Sequence, residues 1–98
     1  MTPHIAISIY KMVEEVSGRV ICLLKDEDIP DTTIIMLCEY MIALVRAEEA
    51  LFLYLNSALL TTQENTKDLE ERVRKDIFFA AEIEAEIKQK TNLSFEVH

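Results

Sequence analysis

The chain has 98 residues, a formal net charge of −8, 50% hydrophobic residues and a single glycine. That length fits one helical domain, residues 1–98, with enough chain to bury a modest core. The negative charge excludes nucleic-acid binding through clustered Lys and Arg, and docking on anionic lipid, while leaving a basic protein partner compatible. Scarce glycine and abundant Ala, Leu, Glu, Lys and Met favour few, long elements, so the expected fold is all-α: a small antiparallel three-helix bundle with a long central second helix.

The first helix is expected over about residues 3–25. Thr2 can cap it, and Pro3 falls at the first helical position, where a missing N–H is harmless. At about 100° per residue, Ile5, Ile9, Met12, Val13, Val16, Val20, Leu23 and Leu24 share one face, with Lys11, Glu14, Glu15, Gly18 and Lys25 opposite. The stretch DEDIPD, residues 26–31, breaks the pattern. Asp28 is the expected cap of the second helix, with Pro30 in its first turn and acidic residues at the positive end of the helix dipole.

The second helix, about residues 29–60, holds the most apolar run of the chain, IIMLCEYMIALVRAEEALFLYLNSALL. Arg46, Glu48 and Glu49 in its middle exclude a membrane span, because each charge at a bilayer centre costs about 2.5–3.5 kcal/mol. On a helical wheel Thr32, Glu39, Arg46 and Ser57 form a narrow polar strip that includes Ala43 and Ala50. Leu37, Cys38, Met41, Leu44, Val45, Leu51, Phe52, Leu55, Ala58 and Leu59 form an apolar arc too wide for one neighbour. The second helix should therefore be central, touched by both others. Glu48 falls inside this arc, where a carboxylate needs a partner. Arg19, Tyr10 or another donor would make the pair structural; otherwise Glu48 would set register at an interface.

Residues 61–68, TTQENTKD, form the second break, with a capping box from Thr61 and Glu64 or a later cap from Asn65 or Thr66. The third helix is expected over about residues 66–90. Leu69, Val73, Ile77, Ala80, Ile83 and Ile87 form its inward stripe. Glu70–Arg74, Glu71–Lys75, Glu84–Lys88 and Glu86–Lys90 have the acid four residues before the base, the better orientation. The tail, residues 91–98, offers Phe95 and Val97 for docking on the bundle, with one of the two rings Phe78 and Phe79 folded beneath it as one arrangement.

No chemistry-bearing motif emerges. His4 and His98 lie near opposite termini without an ExxH or HExxH pattern, a phosphate loop needs more glycine than Gly18, and no Ser or Cys has a His partner in view. The expectation is no catalytic, cofactor or metal site, and no enzyme. Cys22 and Cys38 read as free, mostly buried thiols, and the N-terminus lacks a signal-peptide pattern, which together suggest the cytoplasm. In size, acidity and helical composition the chain resembles secretion chaperones and phage- or plasmid-type inhibitor proteins, a likeness of composition rather than of motif.

The expected function is protein binding: an adaptor or small chaperone that shelters an apolar helical segment of its partner, or alternatively an acidic inhibitor of a basic site on a target enzyme. The interface candidates are Phe78, Phe79, Glu48, Ile35, Met36 and Leu53. Together with Ile7 and Ile21 they are more exposed apolar surface than a monomer usually carries, so a homodimer or hetero-oligomer is expected.

Overall fold

The computed structural model describes residues 1–59 and 66–95. They form three helices, α1 (Pro3–Leu24), α2 (Asp31–Leu59) and α3 (Thr66–Lys90), and no strand is present among the described residues. The Thr2 side chain accepts the Ile5 N–H at 3.3 Å, satisfying one of the free donors of the first turn, and Pro3 opens α1 as its fixed φ favours. Between α1 and α2 the expected capping is corrected. Asp28 does not cap α2; its own N–H is held by the Asp26 carboxylate at 3.0 Å in a local turn. Pro30 stands just ahead of α2, and its carbonyl accepts from Thr33 and Ile34, each at 3.0 Å. The capping box of Thr61 and Glu64, the alternative cap Asn65, Val97 and the side chains of Ala58 and Leu59 lie outside the described residues.

α2 is the longest helix, and α1 and α3 each pack along it while standing apart from each other. Its central place follows from its two apolar flanks. The cross-helix contacts run in opposed order. Tyr10 meets Glu48 and Met1 meets Tyr54, so the start of α1 lies by the end of α2. Arg72 near the start of α3 reaches Glu49 late in α2, at 3.8 Å. The α3 stripe behaves as its spacing predicts: Val73, Ala80 and Ile87 are buried, and Leu69, Ile77 and Ile83 pack partly buried against them. All four ion pairs of α3 form, at 2.9, 3.4, 3.1 and 2.9 Å in chain order.

The buried arc of α2 is turned from its expected position. Ala43 and Ala50, read with the polar strip, are buried, whereas Cys38, Val45 and Phe52, read with the apolar arc, are exposed. Ala43, Ala47 and Ala50 have almost no side chain, which lets α3 approach closely on that flank. In α1 the buried line is Ala6, Val13, Ser17, Val20 and Leu23, and Ile5 and Met12 are exposed. One neighbour covers only part of a wide apolar face. Both cysteines are exposed, which corrects the expected burial.

Gly18 lies on the outer side of α1, and a Cβ added there meets nothing within 4 Å. Gly18→Ala should therefore stabilise the fold by about 0.5–1 kcal/mol, through the backbone entropy that glycine loses in a helix. Thermal unfolding followed by circular dichroism should show Tm rising by roughly 3–8 °C for a chain of this size. A fall would mean that α1 is packed on that side.

Candidate functional site: an apolar groove between α1 and α3

Because α1 and α3 meet α2 but not each other, a trough runs between them. Its floor is Tyr40 and Leu44 of α2, and its walls include Met12, Val16, Ile77 and Ala80. This hollow, of about 220 Å³, adjoins a second of about 310 Å³ lined by Met1, Ile9, Val73, Ile77 and Phe78, among others. Ile9, Ile77 and Ala81 line both, so the two hollows form one continuous apolar surface. Met12 is 62% exposed and Phe78 66%, so the walls are open to solvent.

The two ends of the trough are crossed by chain. At one end the Met1 ammonium binds Glu70 of α3 at 2.8 Å, and the Tyr54 hydroxyl of α2 donates to the Met1 carbonyl at 2.6 Å. The ammonium and then Arg74 hold the Glu70 carboxyl below its ordinary range, against its partial desolvation. At the other end the tail leaves α3 through Thr91, whose hydroxyl donates to the Ile87 carbonyl at 2.8 Å. It reaches α1, where Arg19 Nε donates to the Ser94 carbonyl at 3.3 Å. Phe95 then enters the core, with its ring edge-on to Tyr40 at 5.0 Å. From Pro3 to Arg19 the wall is about 24 Å long, or roughly four helical turns.

The only acid lining the Tyr40–Leu44 hollow is Glu84, paired with Lys88 at 3.1 Å. Burial first, then the Glu84 charge, push the Tyr40 phenol well above its ordinary value, so it stays neutral through the physiological range. The groove therefore presents apolar side chains, one phenol, one carboxylate paired with Lys88 and, toward Met1, the Arg74 guanidinium, itself paired with Glu70. It suits apolar side chains of a ligand and provides no nucleophile–base pair.

The interface candidates separate into distinct places. Phe78 lies in the groove, whereas Phe79, 50% exposed, lies on the other side of α3 beside Ile42 and Arg46. Ile35 and Leu53 are exposed on α2 and Met36 packs partly buried against the core. Glu48 is partly buried at the α1–α2 seam, where it accepts from the Tyr10 hydroxyl at 3.2 Å. That bond is the main reason the Tyr10 phenol is held above its ordinary value. Arg19 is engaged at the tail instead. Among the described residues neither Phe78 nor Phe79 is covered by the tail; Phe95 takes the core position itself. The groove residues Ile9, Met12, Val16 and Ile77 read as core in sequence. The signal that they are more is the excess of apolar width in α1 and α3 over what one neighbour covers.

Among the described residues no group of three or more His, Cys, Asp or Glu side chains is placed to hold a metal ion, and no helix is long and apolar enough to cross a membrane. No family model, curated protein or solved structure matches the chain.

Proposed function

We propose that this protein is a non-enzymatic binding module that takes a short amphipathic helix of another protein into the α1–α3 groove, as an adaptor or small chaperone does. The observation that supports the reading is the continuous apolar surface between α1 and α3, whose rim residues Met12 and Phe78 are exposed above the buried Tyr40 and Leu44. Ala80 and Ala81 keep one wall shallow, which suits close approach of a helix, and the joined hollows suit successive apolar side chains spaced by three or four. The crossed ends limit the occupant to about four turns. The alternative, an acidic inhibitor of a basic site, draws less support, because four acids of α3 are tied to neighbouring Lys or Arg. A reducing, cytoplasmic setting belongs to the same proposal, supported by two exposed free thiols.

Ala81→Arg tests it. Ala81 is exposed and lines both hollows, so an arginine there should leave helical content unchanged while charging the groove. In affinity capture from the native cell, a partner held by wild type should be lost with this variant and retained in high salt, since apolar burial is not screened. Capture that ignores Ala81→Arg but disappears in high salt would favour the acidic inhibitor.

A further inference from the structure

The face of α2 turned away from the core carries a second pattern. Ile35, Cys38, Ile42, Val45, Glu49 and Phe52 are all exposed. Their spacing alternates three and four, the a and d positions of a coiled-coil seam, yet among the described residues no helix covers them; α3 reaches only the edge, at Ile42 and Glu49. Phe79 of α3 adds an exposed ring beside Ile42. Three charged residues line a hollow of about 370 Å³ on the α3 side of the seam, shared with Phe79: Glu39 and Arg46 of α2, and Glu86 of α3, which is paired with Lys90 at 2.9 Å. Arg46 is the only basic residue of α2. Among the described residues neither Arg46 nor Glu39 has an ion-pair partner within 4.0 Å, although Lys90 of α3, held by Glu86, also feels the Glu39 charge.

We infer that this seam binds a second copy of the chain, with the two α2 helices antiparallel about a two-fold axis between Ile42 and Val45. In that register every a position faces a d position: Ile35 lies opposite Phe52, Cys38 opposite Glu49, and Ile42 opposite Val45 of the second copy. The same register sets Glu39 against Arg46 of the second copy, and the symmetry makes this pair twice. Glu49 enters the seam already neighboured by Arg72, at 3.8 Å. The axis passes beside Phe79, so the two Phe79 rings fall near each other. A parallel pairing lacks these features: it stacks Glu49 on Glu49 and sets Arg46 opposite Met41. Charge complementarity therefore selects both the occupant and its direction. The seam lies on the side of α2 away from the groove, so the dimer leaves the groove open and can be tested independently of it.

Sedimentation equilibrium at tens of micromolar protein should give a dimer of the 11.3 kDa chain. Arg46→Glu alone sets acid against Glu39, and Glu39→Arg alone sets base against Arg46; each should weaken the dimer at least about tenfold. The two changes together should restore it. All these positions are exposed, so helical content by circular dichroism should not change, and Phe79→Glu should also shift the dimer to monomer. In a Cys22→Ser background, mild oxidation should give no covalent dimer through Cys38. The antiparallel register separates the two Cys38 residues by about 16 Å along the helix axis. A monomeric wild type, single charge reversals without effect, a double variant that fails to recover, or a prompt Cys38–Cys38 dimer would each overturn the inference.

Discussion

Phe95→Ala should lower the free energy of unfolding by about 3–5 kcal/mol, a large share of the roughly 5–15 kcal/mol that holds a small domain together. The ring is 2% exposed and is the largest fully buried side chain of the described residues. Removing it leaves a cavity between α1, α2 and the tail, and it ends the edge-on contact with Tyr40, worth about 0.5–1.5 kcal/mol beyond the area buried. The loss should spread along the tail. Without the Phe95 anchor, the Arg19 bond to the Ser94 carbonyl has nothing to hold the acceptor in place. Urea unfolding measures the effect, with Phe78→Ala as the control. Phe78 is 66% exposed, so its removal should change stability by less than about 0.5 kcal/mol. Equal costs for the two variants would place Phe95 on the surface and open that end of the groove.

The second large effect is a contrast between neighbours. Leu51→Ala should cost about 2–5 kcal/mol, whereas Phe52→Ala should cost less than about 0.5 kcal/mol although the ring is the larger group. Leu51 is fully buried and Phe52 is 56% exposed, so one turn of the wheel by a single residue decides the outcome. Chemical denaturation of the two variants reads the phase of α2 directly. A larger loss at Phe52 in the dilute monomer would mean that α2 is rotated from the orientation described. At concentrations where the dimer forms, Phe52→Ala should instead weaken association, because Phe52 then lies opposite Ile35 of the second copy.

This contrast also marks what the sequence could and could not reveal. The existence, order and approximate ends of the helices were legible, because long periodic segments are separated by two clusters of turn and capping residues. The α3 stripe and its ion pairs were legible for the same reason: its polar and apolar positions alternate cleanly. The phase of α2 was not. Apolar residues surround most of that helix, so hydrophobicity alone does not choose which arc faces inward. The choice is made by Ala43, Ala47 and Ala50, whose small size matters through the closeness of α3 rather than through their own transfer free energy. The same ambiguity concealed the division of the interface candidates. Adjacent helical positions such as Phe78 and Phe79 point about 100° apart, but only the position of α1 across the groove makes Phe78 a groove residue and leaves Phe79 on the seam. The partner of Glu48 was legible as a choice between Tyr10 and Arg19. Position along α1 made the choice: Tyr10 lies opposite Glu48, whereas Arg19 is about 13 Å further along the helix, by the tail.

The most direct test of the groove as a binding site is site-specific photocrosslinking in the native cell, with a benzophenone side chain placed either at Ala81 or at Lys75. Ala81 lines both hollows, whereas Lys75 is an exposed residue of the same helix outside them. Adducts from position 81 should map, after proteolysis and mass spectrometry, to one amphipathic helical segment of a different protein, with little from position 75. Equal labelling from the two positions, or adducts from position 81 that contain only this chain, would contradict a binding role for the groove.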